Sequence, residues 1–589
     1  MMLFKKFNHV LNYKQKRSVL LLLFLIFIGM FLETLGVGIV IPVFTIIMDP
    51  NIVDKYPAGA LFLTKLSPLN WLPNNLNISS IQNQIITGAI MIIIFVYIFK
   101  ACFLIFLTWV QSTFITNLNI SWSDKLFSGY LFQPYSFHLQ RNSALLIRNI
   151  NQTGNFAASL ELTLVLISEI LVVVGISSLL IITEPLGASV IILIFLLSSY
   201  IFHLYTKKHL HNWGIKRHLH EGQRIKHIQQ GLGGVKDLKI LGREKTFSFQ
   251  FLKHAMAVAW VSRNQKVLKS LPRLWLEIII VICLSVLLLL MLIEEKSVNE
   301  LIPTLGLFAA ASFRLMPSAN KILGNIQQLK YDAPVINNIY KELVENKPKE
   351  VSERFNKILS FKKSIKLENI SYTYEKTSIP TINNININID FGSQVGFIGE
   401  SGAGKSTLIN IILGLLNPKE GVIKIDDFDI QSNLRGWQNQ IGYVPQDIFL
   451  TDDTLRNNIA FAISEDKILD ETVKKAIKEA NLEKFVKGLP NGLNTMVGER
   501  GVRISGGQRQ RIGIARALYH QPSVLILDEA TSSLDTDTEK EIMKGVIKLK
   551  NHKTVLIVSH RPSTVEMCDQ IFKIESGKIV KKGKFEEVI

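Results

Sequence analysis

Gly399-Glu400-Ser401-Gly402-Ala403-Gly404-Lys405-Ser406 lies between the strand-like Gln394–Ile398 and an apolar helical pattern over residues 407–416. A glycine-rich turn that leaves a strand, ends in Lys-Ser and opens a helix is the setting of a phosphate-binding loop. The glycines let backbone N–H groups curl around phosphate oxygens at a helix N-terminus. Lys405 is placed to reach the β- and γ-phosphates, and Ser406 to hold Mg²⁺. A nucleoside triphosphate and Mg²⁺ are therefore expected, with Gly399, Glu400, Ser401, Gly402, Ala403, Gly404, Lys405, Ser406 and Thr407 as the cradle. The stretch predicts an α/β P-loop ATPase domain.

Further along, Val524-Leu525-Ile526-Leu527 is followed by Asp528 and Glu529. A continuous apolar run fits a parallel strand covered on both faces. Its two terminal acids suit a Mg²⁺ ligand, Asp528, and a residue that polarises the attacking water, Glu529.

The chain has 589 residues, 48% hydrophobic and 19% charged, too long for one ordinary domain. Several long apolar runs fall before residue 325, and a mixed-charge stretch follows from about 350. A membrane-spanning helix needs about 20 apolar residues. Residues 18–48, 85–120, 160–182, 186–205 and 274–293 provide five such runs, and 301–322 a weaker sixth that contains Arg314 and Pro317. We expect a six-span membrane domain over 1–345 and an ATPase domain over 346–589. The first run extends beyond the core of a secretory signal, which argues against a removed leader.

The net charge of +18 does not point to nucleic acid. Its cations cluster beside apolar runs, as in Lys5, Lys6, Lys14, Lys16 and Arg17, or Lys207, Lys208, Lys216 and Arg217, like the cytoplasmic flanks of membrane helices. That bias puts the N-terminus and the stretches 124–155 and 206–270 in the cytoplasm. The latter two are too long for simple loops. They read as helices continuing out of the membrane, with short cross-helices at 133–139 and 231–241. The outer segment 56–72 is too apolar for a solvated loop. It is either an amphipathic helix at the membrane surface or a helix packed on the protein's own rim. The three cysteines show no ligand or disulfide spacing.

A second glycine-rich stretch, Ile504-Ser505-Gly506-Gly507-Gln508, resembles the signature of the ATP-binding cassette (ABC) family, with Ile504 in place of the usual leucine. Residues 354–589 resemble an ABC nucleotide-binding domain, with its helical subdomain, from end to end. The resemblance implies that Tyr374 stacks on adenine and that Gln446 touches Mg²⁺ and water. It implies that His560 contacts the γ-phosphate and that Asp535 lies in a loop crossing to a partner. Residues 495–501 resemble the loop that precedes the signature in exporters. In this family Ser505, Gly506, Gly507 and Gln508 cap the ATP of another copy. The resemblance thus implies an ABC-exporter-type half-transporter acting as a homodimer, with Glu529, His560, Gln446 and Lys405 as its catalytic groups.

Lone charges inside spans are costly. Lys100, Arg314 and Arg273 either pair with acids such as Glu33 and Glu277 or form a basic cavity for an anionic head group. The phrase 308–317 and the apolar outer segment are similar to a subgroup of bacterial exporters that flip polyprenyl-pyrophosphate-linked oligosaccharides. That likeness implies a lipid-linked substrate and a place in the bacterial inner membrane. An exporter of another lipid, peptide or drug is the alternative. A non-transport regulatory ATPase fits the six spans poorly.

Overall fold

The structure is a computed structural model, and it describes residues 2–39, 57–67, 81–183, 185–293, 298–346, 361–375, 377–498, 504–530, 539, 543–545 and 552–589. It divides into two compact units. The first comprises Met1–Gln133 with Gln140–Lys349, and the second Pro134–Leu139 with Glu350–Ile589.

The first unit is helical: α1 (Met2–Val10), α2 (Tyr13–Gly38), α3 (Pro57–Leu66), α4 (Ile81–Leu131), α6 (Ser143–Asn151), α7 (Thr153–Thr183), α8 (Pro185–Gly233), α9 (Val235–Leu241), α10 (Glu244–Ile293) and α11 (Val298–Glu345). The short α5 (Tyr135–Gln140) falls almost wholly in the second unit. Among the described residues α2, α4, α8, α10 and the run ending at Ile182 are long and apolar enough to cross a membrane. The sixth expected span, α11, is one unbroken helix of 48 residues although Arg314 and Pro317 lie within it. At 1.5 Å per residue, helices near 50 residues run about 75 Å. That is well beyond the ~30 Å hydrocarbon core, so α4, α8 and α10 extend out of the bilayer as the sequence predicts, and α11 is of similar length. The short α5 and α9 fall on the two expected cross-helices. Gly242 ends α9 in the left-handed region (φ +62°), where glycine avoids the Cβ penalty.

Aromatic rings tie the first helices together. Trp122 and Phe7 both pack on Phe156, with ring centroids 4.8 and 5.2 Å apart, and all three are buried. The outer helix α3 lies on α4. A Cβ at Gly88 would strike the Leu63 carbonyl, and the Ser67 and Thr87 hydroxyls meet at 2.6 Å. Leu61, Phe62 and Leu66 remain exposed. The helix is thus packed on the protein along one face and bare and apolar on the other. The rest of the expected 56–72 helix lies outside the described residues.

The second unit holds two sheets. β1 (Ser364–Tyr372), β2 (Ile382–Asp390), β4 (Glu420–Ile425) and β5 (Phe428–Asp429) form an antiparallel sheet in the order β2-β1-β4-β5. The larger sheet runs β10-β9-β3-β8-β7-β6, from β3 (Gln394–Ile398), β6 (Ile441–Val444), β7 (Val524–Asp528), β8 (Thr554–Val558), β9 (Gln570–Glu575) and β10 (Lys578–Gly583). Its pairs are parallel except at the β10 edge. Every residue of β7 and β8 is buried, as continuous Val/Ile/Leu runs require in a sheet covered on both faces. Helix α12 (Lys405–Ile412) follows β3, α13 (Asp470–Glu479) lies in the helical subdomain, and α14 (Gly506–Tyr519) leads into β7. The strand ends of β3, β7 and β8 open on one edge, where parallel α/β sheets place their ligands.

Candidate functional site

The phosphate loop connects β3 to α12. Gly399, Gly402 and Gly404 all have positive φ, at +154°, +83° and +104°. At Gly399 a Cβ would strike the Ile574 carbonyl, and at Gly404 it would stand 2.9 Å from that of Thr381. Only glycine lets the loop curl there while packed against its neighbours. Lys405 is buried, and its Nζ donates to the Gly399 and Glu400 carbonyls, both at 2.8 Å. Those bonds stretch the lysine back over the loop. Burial lowers its pKa, against the opposing pull of Glu529 and Asp528.

Two strands bring the acids and the histidine to that lysine. β7 ends at Asp528, which is buried, and the Tyr443 hydroxyl on neighbouring β6 donates to its Oδ2 at 3.2 Å. Burial raises the Asp528 pKa; the Tyr443 bond opposes this, and the Glu529 charge adds to it. Glu529 itself sits at φ +50°, a region that costs a non-glycine residue about 1 kcal/mol or more. Its N–H donates to the Val558 carbonyl of β8 at 3.0 Å, which pins the turn. His560, just beyond β8, places Nε2 2.5 Å from Glu529 Oε1, and its Nδ1 is 3.1 Å from the Gly399 carbonyl. Lys405, Glu529 and His560, far apart in sequence, thus share one pocket edge.

The other expected residues frame this core. The Tyr374 ring stands edge-on to Tyr372 with centroids 5.1 Å apart, and its hydroxyl is 3.2 Å from Thr407 Oγ1 at the start of α12. Ser406 is exposed on α12, and Gln446 is exposed just after β6. A serine hydroxyl, a carboxylate and an amide carbonyl are hard oxygen donors, the set a Mg²⁺–nucleotide uses. No group of three or more His, Cys, Asp or Glu among the described residues could hold a metal alone, so a divalent ion at this site needs phosphate oxygens as well. Left-handed glycines, a lysine stretched along the loop and these oxygens fit a nucleotide triphosphate. When bound, the Mg²⁺–nucleotide supplies the scissile phosphoryl group and a counter-charge for it. Asp535 lies outside the described residues.

The glycine-rich signature forms a second helix N-terminus. The Gln508 N–H donates to Ser505 Oγ at 3.2 Å, and the Ser505 N–H donates to Gln508 Oε1 at 3.0 Å. This reciprocal capping box starts α14. Ser505 and Gly506 are exposed, while Ile504 packs against the core. Sequence reasoning missed both this cap and Tyr443. The cap was readable, since Ser-x-x-Gln before an apolar helix is a capping pattern. Tyr443 was not, because only the β6–β7 pairing brings it to Asp528.

In the membrane helices the lone charges are ion-paired. Arg314 grips Glu33 through Nε and Nη2, both at 2.9 Å, and Lys100 Nζ reaches Glu33 Oε2 at 3.2 Å. Arg314 Nη1 donates to Ser318, which donates to Glu169 Oε2 at 2.6 Å, and Lys321 pairs with Glu169 Oε1 at 2.7 Å. Four helices, α2, α4, α7 and α11, are stitched by this network. Arg273 pairs instead with Glu277 at 3.1 Å on its own helix, both exposed.

Membrane-length helices joined in one chain to this ATPase constellation are the two parts of a transport ATPase. Two family models divide the chain accordingly: the ABC transporter transmembrane region matches 19–314, and the ABC transporter model matches 382–532. The chain belongs to the ABC transporter family, and its ATP hydrolysis is coupled to transport. It is 32% identical over 467 residues to the ATP-dependent lipid A-core flippase 2 of Colwellia psychrerythraea, covering 78% of both chains. It is 31% identical over 495 residues to the ATP-dependent lipid A-core flippase of Wigglesworthia glossinidia brevipalpis, covering 82% of both. In fold it is similar to a bacterial Atm1-family ABC exporter solved with ATP bound, with a TM-score of 0.77 at 20% identity over 98% of this chain and 96% of that one.

Proposed function

We propose that this protein is an ATP-driven flippase for a large anionic lipid of the lipid A-core kind. It works as a homodimer in the bacterial inner membrane, with 1–345 as the membrane domain and 346–589 as the ATPase domain on the cytoplasmic side. One observation carries the cargo reading: the likeness to lipid A-core flippases runs through both halves at over three quarters of each chain. The basic ends of the spans support the orientation.

The site residues divide the labour as follows. Lys405, already stretched along the loop, trades its two carbonyl partners for phosphate oxygens. Ser406, Asp528 and Gln446 would supply oxygen ligands to a bound Mg²⁺. Glu529 would take a proton from the attacking water, and His560, which here meets Glu529 and the Gly399 carbonyl, would contact the γ-phosphate. The Ser505 cap presents the α14 N-terminus with its free N–H groups exposed, a surface suited to the γ-phosphate held by a second copy. Phosphoryl transfer draws mainly on such positioning and charge stabilisation.

The second reading, a polyprenyl-pyrophosphate oligosaccharide as cargo, draws on the bare apolar face of α3 at Leu61, Phe62 and Leu66. Proteoliposomes loaded separately with lipid A-core and with a polyprenyl-pyrophosphate glycan distinguish the two. ATP-dependent movement of the lipid A-core alone is expected; movement of the glycan alone would reverse the choice.

A further inference from the structure

We propose a binding site for an anionic phospholipid of the surrounding bilayer in the groove between α2 and α4, whichever cargo the protein carries. The two helices touch at mid-membrane, where a methyl on Gly29 would already meet Leu107 at 3.4 Å. Toward the N-terminal end of α2 a cavity of about 650 Å³ opens between them, lined by Lys14, Arg17, Leu21, Trp109, Thr113 and Phe114 among others. That is within the range of roughly 300–1,000 Å³ typical of ligand pockets.

The lining has the polarity of one lipid molecule. Leu21 and Trp109 are 56% and 65% exposed on spanning helices, so the bilayer covers them. Lys14 and Arg17 are exposed at the groove's mouth, and neither forms an ion pair among the described residues. Lys100, Arg314 and Lys321 within the helix bundle are neutralised by carboxylates; these two are not. Tryptophan beside paired cations at the end of a span marks the head-group level. A phosphate between Lys14 and Arg17, with an acyl chain running past Leu21 and Phe114, matches charge to charge and apolar surface to apolar surface. An interfacial cation contributes about 1 kcal/mol toward anionic lipid. Two of them favour an anionic over a zwitterionic head group by about thirtyfold.

Native mass spectrometry of the detergent-purified full-length protein, titrated with phosphatidylglycerol or phosphatidylcholine, tests this. The wild type should retain one phosphatidylglycerol per protomer about thirtyfold more tightly than phosphatidylcholine. The double variant Lys14→Gln, Arg17→Gln should bind both lipids alike. Thr113→Trp fills the groove, leaves the cations in place, and should lose both; Val110→Trp replaces it if thermal melting shows Thr113→Trp misfolded. Three results would overturn the site. One is no head-group preference in the wild type. Another is loss of phosphatidylglycerol in the charge variant but not in the groove-filling one, which means diffuse attraction to a basic surface. The last is dissociation of the dimer by the groove-filling variant, which assigns the groove to a second copy.

Discussion

Lys405 in the ATPase half and Arg314 in the membrane half are both shielded cations, yet they are held in opposite ways. Lys405 donates to two main-chain carbonyls and has no carboxylate within ion-pair distance among the described residues. Arg314 is clamped bidentately by Glu33, with Glu169 at 3.8 Å. A carbonyl partner satisfies hydrogen bonds but leaves the charge uncancelled, so Lys405 stays electrostatically open to phosphate. A carboxylate partner cancels the charge, as a low-dielectric setting demands. The phosphate loop holds its charge ready for a ligand; the shielded charges within the membrane helices bind those helices together.

The contrast breaks first at Glu529. Glu529→Gln should reduce phosphate release by about a thousandfold with ATP binding retained. Near-normal turnover would remove Glu529 from the chemistry and leave its contact with His560 structural. Next in size is Glu33→Ala, which strands Arg314 and Lys100 without a counter-charge. Breaking a buried pair from one side costs about 3 kcal/mol, to be read as a lower unfolding midpoint in detergent. The paired change Glu33→Leu, Arg314→Leu should recover only part of that loss, because Lys100 stays without its partner; adding Lys100→Leu should recover most of the rest. If Arg314→Leu alone destabilises nothing but abolishes stimulation of ATPase by lipid A-core, the network belongs to the substrate path.

Tyr443→Phe sharpens the electrostatics of the ATPase half. Burial already raises the Asp528 pKa, and the Tyr443 hydroxyl opposes that rise. Without it the carboxyl holds its proton to higher pH. Mg²⁺-dependent nucleotide affinity should then fall below that of the wild type at low pH and converge with it at high pH. An equal loss at both pH values would assign Tyr443 to packing.

The difference between the halves also explains what could be read from the sequence. The phosphate loop, the Asp528–Glu529 strand end and the Ser505 helix start are local: strand, turn and helix follow one another along the chain, and backbone geometry places the side chains. Lys405 and Glu529 are legible in this way, His560 only through the family resemblance, and the three are found together. Tyr443 escaped because its partner is 85 residues away on an adjacent strand. In the membrane half the spans were legible from apolar runs, but the fate of each charge was not. Whether Arg314 meets Glu33, 281 residues distant, depends on helix packing that no local pattern encodes. The outer helix α3 packs one face on α4 and leaves Leu61, Phe62 and Leu66 exposed, and a short apolar run in the sequence does not choose between the two readings.

The smallest expected stability effect is at the signature. Ser505→Ala removes one side of the capping box and should cost the ATPase half about 1 kcal/mol, while lowering turnover far more if the exposed α14 N-terminus serves a second copy.

That dependence on a second copy can be tested directly by mixing protomers. One carries Lys405→Ala with an intact signature, and the other carries Ser505→Arg with an intact phosphate loop. Each homodimer should be inactive. In the mixed dimer, one site pairs an intact loop with an intact signature from across the interface. The account predicts that ATPase activity returns to about half the wild-type rate, since one of two equivalent sites is restored. A mixed dimer as inactive as its parents would contradict it.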